Sequence, residues 1–333
     1  MTSSSITLVI PGRNTALTLH ACLKAVVPYL GSGLLREIMY VDDGSTDQSS
    51  AIAAAYPARV LDAGGLGPGG ARNVGWKAAS TDLVWFIDAD CVARPGALEA
   101  LQAHLRAPAV GGAGGSYANE VPGSLLGTLI HAEIVARHRR MPTHVGYLAT
   151  YNVLYRRSVL ESLGGFDEVS FNAAGKPGAE DIDLAYRASA AGWILHFEPR
   201  SLVGHYHPTK LLPYLKTQRR HGFWRVALHL KHRKQGGGDD YSGPVDHAQP
   251  FVGIAAVLAT PLAIGERFRP LMIGLWAVLL ALQLPMMLRL LSIERGPRAL
   301  VYAPLGAIRA VWRGFGMCAG VVARMLRLAG SVR

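Results

Sequence analysis

The N-terminal part of the chain alternates short apolar runs with stretches of helical periodicity. Residues 6–10, 38–41 and 83–87 are β-prone apolar runs, and each is followed by a turn of polar residues or glycine. Residues 49–56 predict one helix, and a second is predicted by apolar residues that recur along one helix face: Leu19, Cys22, Leu23, Val26, Val27 and Leu30. Strands that alternate with helices predict βαβ units and a mostly parallel α/β sheet flanked by helices.

Glycine-rich stretches interrupt this pattern further along the chain. Residues 64–70 contain five glycines without the spacing of a Rossmann or P-loop fingerprint, so they predict a loop that positions residues 71–73. Residues 111–115 predict a further flexible connection. Residues 124–140 predict a helix with a basic end.

The last hundred residues have a different composition. Residues 235–249 are polar and glycine-rich, so they predict a linker between an α/β domain at 1–234 and a membrane-associated helical region at 250–333. Within that region we expect a membrane hairpin at about 251–293 and a basic amphipathic helix at about 299–329.

The two arms of the predicted hairpin differ in length. Residues 251–265 are apolar but short for a full span, whereas residues 271–288 carry no charge over 18 positions and are long enough to cross a bilayer. Re-entrant insertion of the first arm is an alternative, and three spans are the alternative for the whole region. Basic residues on both flanks of the hairpin predict that both of its ends face the cytoplasm.

Composition and charge also indicate a membrane partner. Half of the 333 residues are hydrophobic and 17% are charged, which excludes intrinsic disorder. Residues 251–333 contain ten Arg and two Glu, so they carry +8 of the total charge of +11. Because this basicity lies among apolar runs, it favours anionic lipid over nucleic acid as the partner.

The cysteines and the N-terminus indicate the compartment. Cys22, Cys91 and Cys318 are odd in number and lack CxxC spacing, so they predict neither a disulfide framework nor a zinc site. Residues 1–5 are short and polar, so no signal peptide is expected. We therefore expect the α/β domain to face the cytoplasm.

Carboxylates follow two of the predicted strands, at the edge where parallel sheets bind ligands. Asp42 and Asp43 follow the second strand, and Asp88 and Asp90 follow the third. The Asp88-x-Asp90 pair offers oxygen ligands that suit Mg²⁺ or Mn²⁺ with positions left for phosphate. Solvated carboxylates at a turn are the alternative, and Arg72 is expected to pair with one of these groups or with a phosphate.

A second acidic cluster lies about 90 residues later in the chain. Glu180, Asp181 and Asp183 open a predicted helix that follows a GGFDE segment at 164–168. Carboxylates in the first helical turn interact favourably with the helix dipole, so helix capping is the alternative to a role in acid–base chemistry.

Seven short motifs occur in order along the first 210 residues: LVIPGRN at 8–14, VDDGSTD at 41–47, GGARNVG at 69–75, FIDADC at 86–91, GGFDE at 164–168, EDIDLAYR at 180–187 and VGHYHP at 203–208. This ordered set resembles the family 2 inverting glycosyltransferases of the GT-A fold, which use nucleotide-diphosphate sugars. The chain also resembles the membrane-attached members of that group, in which hydrophobic helices follow the transferase domain.

The resemblance implies roles for individual residues. Asp181 matches the catalytic base and Asp90 matches the metal ligand. His205 falls where many members place a histidine near the metal, although His207 competes for that role and either could be a packed imidazole. Pro11 and Asp43 match positions near the nucleoside base. All the positions that the resemblance implies in substrate binding are Pro11, Arg13, Asn14, Asp42, Asp43, Arg72, Asp88 and Glu180.

The implied reaction is transfer of a single sugar, with inversion, to a hydroxyl on a lipid-linked or cell-envelope acceptor. Displacement at the anomeric carbon needs a base for the incoming hydroxyl and a cation, Mn²⁺ or Mg²⁺, for the departing diphosphate. Processive members carry a QxxRW motif, whereas Gln218 and Trp224 here have a different spacing, which disfavours polymer synthesis. A processive polysaccharide synthase and a catalytically silent, membrane-tethered nucleotide-binding scaffold are the alternatives.

Overall fold

The computed structural model describes the chain in four stretches, residues 6–173, 176–233, 239–294 and 296–330. The chain divides into two compact units. The first unit comprises Met1–Glu120 and Met141–Tyr206, and the second comprises Val121–Arg140 and His207–Arg333.

The first unit is built on one eight-stranded sheet and a two-stranded ribbon. In chain order the strands are β1 Ile6–Gly12, β2 Leu35–Asp42, β3 Ala58–Asp62, β4 Leu83–Ile87, β5 Cys91–Ala93, β6 Val110–Asn119, β7 Asn152–Arg156, β8 Asn172–Ala173, β9 Lys176–Pro177 and β10 Ile194–His205. The large sheet has the order β3-β2-β1-β4-β7-β6-β10-β5, and only β7 and β5 run against the other strands. The predicted mostly parallel sheet is therefore confirmed.

Twelve α-helices lie in the described stretches of the chain. In chain order they are α1 Ala16–Gly31, α2 Ser49–Ala54, α3 Gly67–Ala78, α4 Ala97–His104, α5 Leu125–His138, α6 Arg157–Leu163, α7 Glu180–Ala190, α8 Leu211–Lys231, α9 Pro244–Leu262, α10 Arg269–Ala281, α11 Leu284–Glu294 and α12 Tyr302–Gly330.

Both faces of the sheet are covered by apolar side chains, because alternate residues of a strand point to opposite faces. On one face Leu8 and Trp85 belong to the cluster that includes the predicted apolar stripe of α1. On the other face Val9 and Phe86 belong to a second cluster, which includes Trp76 of α3. The strands are thus buried from both sides, and because β1, β2 and β4 run parallel, their carboxyl ends lie at one edge.

Two glycine-rich predictions are wrong. Residues 67–70 begin α3 instead of forming a loop, because Pro68 fits the first helical turn, where its missing N–H is not needed. Residues 111–115 are part of β6 instead of a flexible connection. A Cβ on Gly112 would lie 2.6 Å from the Tyr155 ring, so this strand is glycine-rich because its neighbours are bulky.

The second unit groups helices that the sequence assigned to different regions. Helices α5 and α8 belong with the C-terminal helices, and α8 packs against α12. This grouping differs from the predicted division at residue 234. Helix α8 buries Tyr214, Trp224 and Leu228, and these packing contacts are not visible in the polar composition that suggested the boundary.

The helix bounds of this unit also differ from the predictions. Helix α9 begins at Pro244, so the second part of the predicted linker at 235–249 is helical. The apolar run at 271–288 is divided between α10 and α11. The basic helix predicted at about 299–329 is α12, preceded by a short 3₁₀ turn.

Two apolar helical segments are long enough to cross a membrane. They are Glu266–Glu294 and Pro297–Leu326, as judged by length and composition. The first arm of the predicted hairpin, residues 251–265, lies in neither segment. The segments are weak support for membrane association, and the number of spans stays a prediction.

Candidate active site

Strands β1, β2 and β4 are parallel and adjacent, so the residues that follow them share one edge of the sheet. Asp43 is buried there, and its Oδ1 accepts a hydrogen bond of 2.9 Å from the Gly67 N–H at the start of α3. Burial raises the pKa of Asp43 above its usual value. The neighbouring Asp42 is partly buried, but hydrogen bonds from Ser45 and Ser50 lower its pKa.

Arg72 joins the two acidic clusters that the sequence places far apart. It is buried in α3, where Nη2 donates to Asp88 Oδ1 at 2.7 Å and Nη1 donates to Glu180 Oε1 at 2.9 Å. Although burial disfavours its charge, these two carboxylates raise the pKa of Arg72. Arg72 therefore pairs, as expected, with a carboxylate, and it does so twice: with Asp88 after the end of β4 and with Glu180 at the start of α7.

Asp181 lies in the first turn of α7, beside Glu180. Burial, together with the charge of Glu180, raises the pKa of Asp181 to about 7, although the charge of Arg72 opposes them. A carboxylate with a pKa near neutrality can exchange a proton at physiological pH. The helix starts after Ala179, whose φ of 70° is unusual for a residue other than glycine.

A third group of side chains forms where β5 meets β10. The two strands are antiparallel, and their register pairs Cys91 with His205. Asp90 Oδ2 lies 3.4 Å from His205 Nε2, and the ligand atoms of all three residues lie within 4.8 Å of one another. Burial raises the pKa of the Cys91 thiol well above its usual value, so the thiol stays protonated.

The remaining donors of this group, one carboxylate and one imidazole, fit a divalent ion such as Mn²⁺. Burial disfavours the charge of Asp90, but the hydrogen bond and the charge of His205 lower its pKa overall. His207 belongs to the second unit, where its Nε2 lies 3.3 Å from His131 Nδ1. Of the two candidate histidines, the structure brings His205 to Asp90.

Pro11, Arg13 and Asn14 lie at the end of β1 and in the loop after it. Pro11 is buried and Arg13 is exposed. Asn14 has a φ of 54°, and its Oδ1 accepts a hydrogen bond of 2.8 Å from the Thr46 N–H. Asn14 therefore closes this loop onto the turn that follows Asp43, and a direct contact of these residues with substrate stays a prediction.

Asn73 is a site residue that the sequence reasoning missed. Its Nδ2 donates to the Phe166 carbonyl at 2.9 Å and to Glu168 at 3.1 Å, and its Oδ1 accepts from Trp76 Nε1 at 2.8 Å. Gly165 has a φ of 74°, and a Cβ there would lie 2.7 Å from Trp76 Nε1. The link between α3 and the GGFDE segment could have been suspected from the sequence, because a polar residue follows Arg72 in the GGARNVG motif.

Asp183 and Arg187 hold α7 in place. Arg187 Nε donates to Asp183 Oδ2 at 2.8 Å, one helical turn away, and Asp183 is fully buried. The same arginine donates to the carbonyls of Leu163 at 2.8 Å and Gly165 at 2.7 Å. Of the three acids in this cluster, Asp183 therefore has a structural role.

Two stacked tyrosines lie next to the Asp90 group. The rings of Tyr117 and Tyr151 stack with centroids 3.7 Å apart, and the Tyr117 ring lies 4.9 Å from the His205 ring. Tyr151 Oη donates to the Gly115 carbonyl at 2.7 Å. No pattern in the sequence predicts this pair, because it depends on the register of β6 and β10, in which Tyr117 pairs with Val203 and lies diagonally beside His205.

A mixed sheet with carboxylates at its ligand edge, followed by apolar helices, defines a GT-A type of fold. A solved structure with this architecture is the mannosyltransferase from Pyrobaculum calidifontis in complex with GDP-Man and Mn²⁺. It superposes with a TM-score of 0.61 at 17% identity, over 94% of this chain and 86% of that chain. The likeness establishes the fold.

The sequence comparisons then give the family. The model of glycosyl transferase family 2 matches residues 7–164, and this chain belongs to that family. It is 30% identical over 244 residues to the N-acetylglucosaminyl-diphospho-decaprenol L-rhamnosyltransferase of Mycobacterium tuberculosis, over 57% of this chain and 78% of that protein.

A second relative is the pre-mycofactocin glycosyltransferase of Mycobacterium tuberculosis. It is 30% identical over 238 residues, which are 68% of this chain but 48% of that protein. The chain thus spans about half the length of this relative.

Proposed function

We propose that this protein transfers a single sugar from a nucleotide-diphosphate sugar to a hydroxyl acceptor with inversion at the anomeric carbon. The observation that carries the proposal is Asp181, whose raised pKa of about 7 suits proton acceptance, in the site that Arg72 joins. Membership of glycosyl transferase family 2 supports the reaction class.

Asp181 is the base in this proposal. Its Oδ1 accepts one hydrogen bond from within the described stretches of the chain, at 2.8 Å from the Ile182 N–H, so a carboxylate lone pair is left for an acceptor hydroxyl. One base that works opposite the leaving group gives inversion, and no carboxylate needs to form a covalent intermediate.

Asp90 and His205 would hold the divalent cation. When bound, the cation would neutralise the charge that develops on the departing diphosphate. An imidazole beside a carboxylate favours Mn²⁺ over Mg²⁺. The solved structure of the mannosyltransferase with the same fold is a complex with GDP-Man and Mn²⁺, which supports a nucleotide sugar and this ion.

The acceptor is proposed to be lipid-linked, and the protein to be membrane-associated with its first unit in the cytoplasm. The name of the rhamnosyltransferase relative specifies a diphospho-decaprenol acceptor. Two apolar helical segments and a net charge of +8 over residues 251–333 are consistent with attachment to a membrane that contains anionic lipid.

The side chains at the place of the processive motif have other contacts. Gln218 Oε1 accepts a hydrogen bond of 2.8 Å from Arg313 Nε, and Trp224 is buried, both within the second unit. Gln218 and Trp224 therefore have structural contacts in the second unit, and neither needs a role in polymer synthesis. This supports transfer of a single sugar.

The deciding experiment compares the full chain with Asp181→Asn on a panel of nucleotide sugars with Mn²⁺ and a lipid-linked acceptor. We expect Asp181→Asn to lower turnover about 100- to 10,000-fold, because the base is lost, with nucleotide affinity nearly unchanged. EDTA should abolish turnover of the unsubstituted chain. The measurement is glycosylated product by mass spectrometry.

The matched control is Asp82→Asn, because Asp82 is an exposed carboxylate before the amino end of β4. It should retain full turnover. Equal loss in both variants, or full turnover in Asp181→Asn, would remove the base assignment. Nucleotide binding without turnover on any acceptor would favour the silent scaffold.

A further inference from the structure

The second unit has an arginine in its apolar helix α12 that no carboxylate balances. Arg313 lies within Pro297–Leu326, one of the two long apolar segments, and it is partly buried. Its Nε donates to Gln218 Oε1 at 2.8 Å, and among the described residues no carboxylate lies within ion-pair distance of it. A charged side chain in such a segment usually faces an opposite charge or a ligand.

The carboxylates of α5 and α9 are already paired with other arginines. Glu133 accepts hydrogen bonds from Arg137 at 2.8 Å and from Arg309. Asp246 accepts from Arg137 at 2.6 Å. These two carboxylates balance Arg137 and Arg309, so the charge of Arg313 is left over. Within the described stretches, its terminal nitrogens Nη1 and Nη2 have no hydrogen-bond partner.

Helix α8 places two more hydrogen-bond donors beside Arg313. Because an arginine Nε can only donate, the oxygen of the Gln218 amide must face it, and the amide nitrogen remains a donor of two N–H groups. Tyr214 lies one turn earlier on the same face of α8, within electrostatic reach of Arg313. Gln218 and Tyr214 are 7% and 4% exposed, and neither the amide nitrogen nor the hydroxyl has a partner in the part of the chain that is described.

Close packing of the two helices fixes the position of these groups. Gly222 of α8 has no space for a side chain, because a Cβ there would clash with the Arg313 carbonyl oxygen. A Cβ on Gly316 of α12 would clash with the Arg219 carbonyl oxygen in the same way. The two backbones therefore touch at Arg313, and the donors are held in place before a ligand binds, which lowers the entropic cost of binding.

We propose that Arg313, Gln218 and Tyr214 bind the phosphate group of a lipid. A guanidinium suits this group, because phosphate oxygens accept two parallel hydrogen bonds from it. The ligand is expected to carry an apolar chain, since Arg313 lies in an apolar segment and Leu211, one turn before Tyr214, is 47% exposed. Basic pockets between membrane helices bind phosphorylated headgroups in this way.

Two lipids offer the same chemistry, namely the diphosphate of a lipid-linked acceptor and the headgroup of an anionic phospholipid. The inference rests on the proposed function, in which the protein meets both, and it assigns residues to their shared phosphate group. Free phosphate is the third source that the experiment has to separate from them.

The test measures lipid binding by the full chain in dodecyl maltoside micelles with native mass spectrometry. The probes are farnesyl diphosphate, dioleoyl phosphatidic acid and dioleoylglycerol, which has the same acyl chains without the phosphate. We expect one tightly bound phosphate lipid per chain and no comparable binding of dioleoylglycerol. Tighter binding of farnesyl diphosphate would assign the site to a lipid-linked diphosphate, and tighter binding of phosphatidic acid would assign it to a phospholipid.

Two variants remove donors, and a third restores the charge. Arg313→Gln should weaken binding of the phosphate lipid about 10- to 100-fold, because charge-assisted hydrogen bonds are lost. Tyr214→Phe should weaken it about 3- to 10-fold without a change in ring packing. Arg313→Lys should recover part of the affinity, because it keeps the charge but loses the paired N–H groups.

The matched control is Arg289→Gln, which removes the same charge from an exposed position of α11. It should change the affinity by less than about two-fold, because an exposed charge contributes little. Equal weakening in Arg289→Gln and Arg313→Gln would overturn the proposal, because general attraction of anions would then explain binding.

Unchanged affinity in Tyr214→Phe and Arg313→Gln would also overturn the proposal, and Tyr214→Phe alone decides if Arg313→Gln gives no cooperative thermal melt. Displacement of the lipid by an equal concentration of inorganic phosphate would assign the site to free phosphate and overturn the lipid. Because sugar transfer is not measured and micelles replace the bilayer, a failure here is distinct from a failure of the proposed function.

Discussion

Asp181 and Asp183 stand two residues apart in one helical turn, yet their environments differ. Asp183 is fully buried and paired with Arg187 at 2.8 Å. Asp181 is half-buried, and burial together with the charge of Glu180 raises its pKa to about 7. The helix period decides this difference, because Asp183 has an arginine four residues later and Asp181 has none.

The pH dependence of transfer should report Asp181. The base must be deprotonated, so we expect kcat/KM to rise with pH through about 7. Glu180→Gln removes a negative charge beside Asp181 and one of the two carboxylate partners of Arg72, so the pKa of Asp181 should fall. The rising part of the pH profile should therefore move to lower pH by about one unit. The measurement is kcat/KM from pH 5 to 9, and a profile that does not move would contradict the assignment.

The free energy of unfolding should also depend on the protonation of Asp181, but it should fall with rising pH, whereas kcat/KM should increase. The folded-state pKa of Asp181 is raised above its unfolded value, so its contribution is favourable at low pH and is lost as pH rises toward about 7. Above that pH, Asp181→Asn should stabilise the protein by about 1–2 kcal/mol, a figure reduced because water still reaches this partly buried carboxylate. A thermal melt at pH 8 with Asp82→Asn as control checks this, and a lower melting temperature would contradict it.

At the level of elements, the apolar runs of β1, β2 and β4 were predictable because each is buried and bounded by turn residues. Helix α3 and strand β6 were not, because glycine has a low propensity for both structures and only their tertiary neighbours explain them.

The same distinction applies to the candidate site. Carboxylates at strand ends were visible in the sequence, since parallel strands end at one edge. The meeting of Asp90 with His205 depends on the register of β5 and β10, and the links made by Asn73 depend on a loop conformation. Neither register nor loop conformation follows from a periodic pattern.

Gly112 allows a test of the packing around β6. Gly112→Ala should destabilise the protein by about 1–3 kcal/mol, because its Cβ would lie 2.6 Å from the Tyr155 ring. Gly31→Ala at the end of α1 is the control, since its Cβ would meet nothing within 4 Å. Urea unfolding midpoints measure both, and equal midpoints would show that β6 tolerates a methyl group.

For the whole molecule, the second unit combines a buried ionic network with a large apolar surface. Glu133 accepts hydrogen bonds from Arg137 at 2.8 Å and from Arg309, and Arg137 also binds Asp246 at 2.6 Å. Burial opposes the charge of Glu133, but the two arginines lower its pKa to about 2. These pairs join α5, α9 and α12 without using the exposed apolar side chains of α10.

Those side chains should decide membrane attachment. Leu271 and Ile273 are 52% and 60% exposed, and an Asp costs about 2.5–3.5 kcal/mol at the centre of a spanning helix and less towards its ends, where these two residues lie. The double variant Leu271→Asp/Ile273→Asp should therefore weaken flotation with anionic vesicles about 10- to 100-fold. Leu17→Asp, on an equally apolar exposed position of α1, is the control. Flotation unchanged in the double variant would contradict membrane attachment through α10.

The two ion pairs of Arg72 have a consequence for the order of folding. One partner lies 16 residues away in the chain and the other lies 108 residues away. Local collapse of the N-terminal strands can form the first contact, but the second requires closure of a long loop, which is entropically unfavourable and late. Recovery of nucleotide binding during refolding should therefore lag behind formation of the N-terminal strands, and nascent chains that end before Glu180 should lack the second ion pair.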